Sequence, residues 1–400
     1  MTDIQIGPLA GIDTEDEDAA LQIGGDAPRL YVRDAVNLDI SDDGRARLRP
    51  GLRKLSSALL GNLWCSPATG AVFATQGRAW VSVNPKDWSL TPLATLGDDP
   101  VSHIDLNSEV LAAGPEGLFA YDGQTARRFT IETPSAPMLE ATADGSLEAG
   151  TYGVAVAWLR GETESAVSEA AFITLGETGG ISITLPYSFD AHVTQVRTYL
   201  TRQNGGELAR GEDYPVSTLQ VSVPQLPAAG AAAQLRHLEP MPTGRYLACW
   251  RGRLLTATRN ILNFSEAMAY HLHDPRHGFI QLPQRITFVA PVDGGIWVGQ
   301  VDHVIFLAGN SPDALEVQPR KARPPVPGSA ILSDAQTAGA DASQGGQSTV
   351  LWLADNGYVM GTAAGVVIET SGRRLAGITG TVGKSAASVA FGSRAVSAIG

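Results

Sequence analysis

Four hundred residues with 44% hydrophobic character, 44 Gly and 24 Pro hold enough apolar material for a sizeable core and too many turn residues for long helices. The formal charge of −12 disfavours a surface built to grip nucleic-acid phosphates, which needs clustered Lys and Arg, while suiting a wall past which DNA slides without sticking. Only Cys65 and Cys249 are present, so a secreted disulfide framework is excluded, and no stretch approaches the roughly 20 apolar residues of a membrane-spanning helix.

Residues 1–30 lack a basic n-region and an apolar h-region, so no signal peptide is read here and the chain is expected to be made and kept in a reducing cytosol. Their acidic cluster (Asp13, Glu15, Asp16, Glu17, Asp18) followed by GGDAP reads as an extended N-terminal arm rather than a packed element. From Tyr31 a strand–turn–strand pattern begins. AVNLDISDDGRARLRPG turns at Gly44 and returns with Arg45, Arg47 and Arg49 at period two, on one face of a strand with Ala46 and Leu48 on the other. Such a row is either an edge guarded against aggregation or a partner-docking strip.

The same unit recurs about every 40 residues. AVFATQGRAWVSV turns at Gly77, VLAAGPEGLFAYDG at Gly117, LACWRGRLLTATRNILNFS at Gly252, ITFVAPVDGGIWVGQVDHVIFLAG at Gly295 and VLWLADNGYVMGT at Gly357. Each unit is too small to bury its own apolar face, which is the sequence signature of a β-propeller blade. Cys65 and Cys249 stand beside Trp64 and Trp250 and are expected to be buried free thiols.

Between Gly117 and Gly252 the step is longer than one blade by roughly 95 residues. The excess opens at TPSAPMLEATADGS, runs through LEAGTYGVAVAWLRGETESAVSEAAFITL and VTQVRTYLT, and closes at QLPAAGAAAQ. Tyr152, Val154, Val156 and Trp158 share one strand face, and Arg197, Tyr199 and Thr201 share another. Several strands at 8–12-residue spacing in about 100 residues describe an inserted β-sandwich.

After the Gly295 unit, PRKARPPVPGSA and ADASQGGQ read as a stiff and then flexible surface loop or partner arm, with Lys321 and Arg323 as candidate interface residues. The last residues, small and rich in Ser, Ala and Val, read as a tail or as a strand that closes the ring. The fold expected is all-β: a six-bladed β-propeller with an inserted β-sandwich. Its parts are an arm over 1–30, propeller over 31–131 and 241–378, a sandwich over 132–240, and a tail or closing strand over 379–400.

Chemical signatures are sparse. GxxxxGK[ST], HExxH, CxxC and GxSxG are all missing from the chain. His271, His273 and His277 crowd around Asp274 in HLHDPRH, an arrangement that could ligate Zn²⁺, but Pro275 and Gly278 make the segment a loop and no Cys or Glu completes a set. Asp42, Asp43, Asp122, Asp293 and Asp355 stand at turns, where carboxylates shape the backbone. No enzymatic activity, cofactor or metal is expected. The tryptophans Trp64, Trp80, Trp88, Trp250 and Trp297 fit a sugar-binding platform or, being mostly within strand patterns, core packing.

The order of pieces is more specific than any one motif. YVRDAVNLDISDDGRARLRPGLRKL, PSAP…GTYGVAVAWLRGETESAVS, VRTYLTRQNGGEL, WRGRLLTATRNILNFSEA and VDGGIWVGQVDHVIFLAGNSP together resemble bacteriophage tail proteins in which a β-propeller carries a fibronectin-like module. The resemblance is nearest to the nozzle or tail-tube proteins of short-tailed phages and covers about residues 30–375. It implies a virion structural protein in a ring, with hexamer the expected state. Its neighbours would be the adaptor, the portal-proximal ring and the fibres; DNA would pass passively along the axis, and no part would insert in a membrane. The resemblance carries no catalytic residues. The alternative reading is a receptor- or carbohydrate-binding propeller of a tail tip.

Overall fold

The computed structural model describes residues 8–400 except 24–28, 42, 52, 98–99, 229, 334–345, 372–373, 378–384 and 392–393. Among the described residues, five four-stranded antiparallel meanders follow one another. Blade I spans 61–95, blade II 102–128, blade III 245–281, blade IV 286–320 and blade V 331–369. Their first strands adjoin in series, Ser102–Leu106 against Arg245–Trp250, that strand against Ile286–Val292, and that one against Thr349–Ala354 of blade V's second position.

Most of the blade cores lie between neighbouring sheets, although Ala74, Val81 and Val83 of blade I are covered by that blade's own Trp88 and Leu90 and by Leu60 just before it. Phe73, Trp80, Leu96, Val101 and Val110 pack between blades I and II, and Leu106, Leu111 and Leu118 meet Leu254 and Tyr270 between II and III. Trp250, Leu255 and Phe264 meet Ile286, Ile296 and Ile305 between III and IV. Phe288, Trp297 and Phe306 meet Val350, Trp352 and Val359 between IV and V. In this last layer Trp297 lies 5.6 Å from Trp352 and donates its indole N–H to the Thr362 carbonyl at 2.9 Å. Sheets that share apolar faces with their neighbours are what the 40-residue period anticipates, and the fold is all-β with propeller-type blades. Among the described residues no helix is long and apolar enough to cross a membrane.

The unit at Gly44 differs from the other five. It is a two-stranded hairpin, Leu38–Ile40 with Ala46–Leu48, beside a three-stranded sheet in which Leu9–Ile12 pairs in parallel with Arg29–Val32. Gly44, at φ +79°, is pressed so close to Pro8 that a Cβ would stand 2.6 Å from the proline ring. Leu9–Ile12 and Gln22–Ile23 are therefore strands of a sheet rather than parts of an extended arm, while residues 14–20 between them lie exposed. Asp13, expected in a solvated acidic run, is 1% exposed and accepts the backbone N–H groups of Glu15 and Asp16. The Thr14 amide donates to the Arg374 carbonyl at 2.8 Å, and the Arg374 guanidinium lies 4.0 Å over the Tyr31 ring. These contacts tie the N-terminal strands to the exit of blade V. At the other end, Ala386–Phe391 and Arg394–Ile399 form a second hairpin, held to blade V through Ala386 N–H to Pro327 O and Tyr358 Oη to Ser397 Oγ.

The insertion is a sandwich. A three-stranded sheet (Met138–Leu147, Gly179–Thr184, Gln220–Val223) faces one containing Gly150–Arg160, Thr163–Glu164, Ala171–Leu175, Gln195–Thr201 and Leu208–Pro215. Tyr152, Val154, Val156 and Trp158 do share a buried face, closed by Ile181, Ile183, Val196 and Val221.

Candidate interaction surfaces

Arg45, Arg47 and Arg49 are all exposed on the hairpin, as is Leu48 at 80% on the opposite face. The strip is less bare than its period-two spacing implies. Arg45 pairs with Asp43 at 3.1 Å, Arg49 with Asp39 at 2.7 Å, and Arg47 stands opposite Asp39 in the ladder. Exposed pairs of this kind add little stability, and they leave the guanidinium groups free to exchange partners.

Lys321 and Arg323 follow the last strand of blade IV, Glu316–Arg320, and both are exposed, with Arg323 3.6 Å from Asp355. The Pro-rich stretch after them is not a free loop: Pro325 bridges Ala354, Val326 donates its amide to Leu353 O and is 8% exposed, and Ile331–Ser333 becomes a strand of blade V. The stiff φ of proline suits a segment laid along a sheet edge. The ADASQ part of this segment lies outside the described residues.

The three histidines diverge. His271 Nε2 bonds the Glu164 carbonyl of the sandwich at 2.9 Å, His273 is buried with Nδ1 on the Phe264 carbonyl at 3.0 Å, and His277 is exposed. Asp274 is held by Arg276 through two contacts, and this pairing first of all keeps its carboxyl down at about 2. Among the described residues no group of three His, Cys, Asp or Glu side chains is placed to hold a metal ion.

Five of the seven tryptophans, Trp80, Trp158, Trp250, Trp297 and Trp352, are buried, and Trp64 and Trp88 are half-buried. The five buried ones are core residues rather than platforms. Both cysteines are free, but both are exposed, against the expectation of burial. Strand alternation is the reason: Cys249 points away from the core that receives Ala248 and Trp250.

Sequence patterning did not bring out the junction between sandwich and blades. Arg160, only 12% exposed at its side chain, donates to the carbonyls of Arg128, Phe129 and Thr130 and pairs with Asp190. One guanidinium thus gathers the strand that leaves blade II and the loop at the sandwich edge. Beside it, Arg197 makes a bidentate pair with Asp213 and a further contact with Glu164 at 2.6 Å, and Tyr199 donates its hydroxyl to Glu164. Hydrogen bonding to Arg197 holds the Asp213 carboxyl below its ordinary range, while burial foremost, then Glu164, pushes the Tyr199 phenol up. A shared face for Arg197 and Tyr199 was legible in VTQVRTYLT; their convergence on Glu164 was not. At the sandwich surface Tyr187 and Phe189 are 66% and 93% exposed, in edge-to-face contact at 5.0 Å.

No protein-family model matches this chain, and no curated protein does. Among solved structures, the chain is similar to the extracellular domain of BT4673 from B. thetaiotaomicron at 10% identity and a TM-score of 0.23, over 83% of this chain and 56% of that one. It is similar to BamB from Moraxella catarrhalis at 10% identity and 0.23, over 82% and 88%, and to Sqt1 from Saccharomyces cerevisiae at 10% and 0.21, over 72% and 91%. The chain therefore spans little more than half the length of the first of these. Likeness at this level carries no functional argument, and the fold rests on the sheets themselves.

Proposed function

We propose that this chain is a structural component of a phage tail, a nozzle or tail-tube protein that forms a ring around the DNA path and offers a platform to fibres and neighbouring tail proteins. One observation supports the reading above the others. Two thin hairpins at opposite ends of the chain leave apolar side chains in solvent, Leu48 at 80% on the first and Val389 and Val396 at 58% and 52% on the second. Two-stranded hairpins are marginal alone, and exposed strands are templates for pairing with another chain. A protein that works as a part of a larger assembly uses such elements; one that works alone keeps them covered.

The ring is expected to be a hexamer on the resemblance, with the adaptor and portal-proximal ring on one side and fibres on the other, located in the virion and without enzymatic activity. The Arg45, Arg47 and Arg49 strip and the Lys321–Arg323 segment then go to protein contacts, and the net acidity suits passive passage of DNA. The test is cryo-electron microscopy of intact particles together with peptide mass mapping of purified tails. Density for this chain in a ring beneath the portal is the expected result. A further expectation is that Arg45→Gln with Arg47→Gln and Arg49→Gln, which removes only exposed pairs, changes the urea midpoint little and lowers incorporation into tails. Absence of the chain from tails, or a lumen lined with basic residues gripping DNA, would overturn the reading.

A further inference from the structure

At one end of the blades, where the second and third strands of a meander turn and one blade leads into the next, a cavity of about 640 Å³ opens between blades II, III and IV. Three arginines line it, each from a different stretch of chain. Arg245 opens the first strand of blade III, Arg259 sits in the turn before Ile261–Phe264, and Arg285 lies in the passage to blade IV. Tyr246, Asn260 and Gln284 complete the polar wall, and no described lining residue is Asp or Glu. Asp98 and Asp99, which precede Pro100 of the wall in sequence, lie outside the described residues.

Some arginines of the described chain are matched with carboxylates, as in Arg78–Glu116, Arg127–Glu109, Arg160–Asp190, Arg197–Asp213 and Arg276–Asp274; others, Arg202 and Arg236 among them, stand singly, whereas Arg259 and Arg285 line one cavity. Arg259 and Arg285 have no ion pair among the described residues, on a chain of net charge −12. The cradle is fixed by bonds between blades and by one within blade III and its exit. Tyr246 N–H donates to Ser102 Oγ at 2.7 Å, Thr243 Oγ1 to Gly114 O at 2.8 Å, Asn260 Nδ2 to Leu282 O at 2.8 Å, and Ile286 N–H to Arg259 O at 2.7 Å. Tyr246 and Arg259 hold left-handed backbone at φ 58° and 56°, a conformation that costs energy in residues with a side chain and gathers at functional sites.

We propose that this cavity binds a compact polyanion, one carrying two or more phosphate or carboxylate groups, with Arg259 and Arg285 as the principal contacts and Arg245 beside them. Guanidinium forks match both groups bidentately, and the like charges of Arg259 and Arg285 around one cavity favour an anion that bridges them. The volume falls within the roughly 300–1,000 Å³ of small-molecule sites, whereas a nucleic-acid duplex would meet only the mouth. The inference does not depend on the tail reading, because no described lining residue comes from the hairpins or the sandwich.

The test is isothermal titration of the full chain at low ionic strength with inorganic tripolyphosphate and, separately, citrate. Saturable one-to-one binding of at least one is expected, and the stronger of the two assigns phosphate or carboxylate as the group recognised. Arg259→Gln and Arg285→Gln should each weaken binding about ten-fold or more, while Arg202→Gln on the sandwich leaves it unchanged. Both cavity side chains are exposed, so these variants should keep the wild-type urea midpoint. If either does not, Arg259→Lys and Arg285→Lys, which keep charge and lose the fork, should bind with intermediate affinity. No saturable binding of either probe, or equal affinity in the double glutamine variant, overturns the proposal. So does a short DNA duplex that binds more tightly than tripolyphosphate and is lost in the same variants.

Discussion

His103 should make the blade I–blade II interface sensitive to acid. It lies in the first strand of blade II, stacked on Trp64 at 5.4 Å with the ring planes 10° apart, and near Trp80 and Phe73 at 6.1 and 6.4 Å. Part of the residue's surface remains accessible, but Nε2 is sealed from solvent and has no hydrogen-bond partner. Burial pushes the imidazole down from 6.5 to about 4. An unfolded chain takes up this proton near pH 6.5 and the folded chain not until about 4, so stability is fully present above 6.5 and falls as pH drops through that window. At about 1.36 kcal/mol per pH unit, the loss attributable to this group is about 3 kcal/mol. Urea unfolding followed by tryptophan fluorescence at steps from pH 7 to pH 4, on wild type and His103→Phe, isolates the contribution. Phenylalanine keeps the aromatic stack and cannot be protonated, so the variant should gain about 3 kcal/mol on the wild type across the range. Parallel pH profiles for the two proteins would refute the argument.

Two further expectations concern the junction and the last blade interface. Arg160→Ala should take the guanidinium from three carbonyls and from the Asp190 carboxylate, which keeps only the His192 N–H, a loss of about 2–3 kcal/mol given that water can reach part of the site, and should expose the 129–137 segment to limited proteolysis while wild type resists. Gly361→Ala places a methyl 2.6 Å from Trp297 Cε2. It should cost about 1–3 kcal/mol by overpacking, read as a lower urea midpoint, whereas Gly377→Ala, with open space around it but backbone at φ +69°, should cost less than that.

Local chemistry was legible from the chain alone because strand alternation and glycine turns depend on residues within hydrogen-bonding reach of one another. The faces of Gly150–Arg160, the sandwich interrupting the repeats, and tryptophans packed inside blades all follow from such signals. Repeat phase did not follow. Gly77, Gly117 and Gly357 turn between the second and third strands of their blades, whereas Gly252 and Gly295 turn between the first and second, because every turn of a meander is a tight reversal with the same local requirements. Whether a unit recruits four strands or two, as at Gly44, depends on which neighbour covers its apolar face. So does the exposure of Cys65 and Cys249, set by which side of a strand the next blade occupies. The cavity is the extreme case. Arg245, Arg259 and Arg285 carry no pattern in sequence, and only the stacking of blades II, III and IV brings three stretches of chain together around one space.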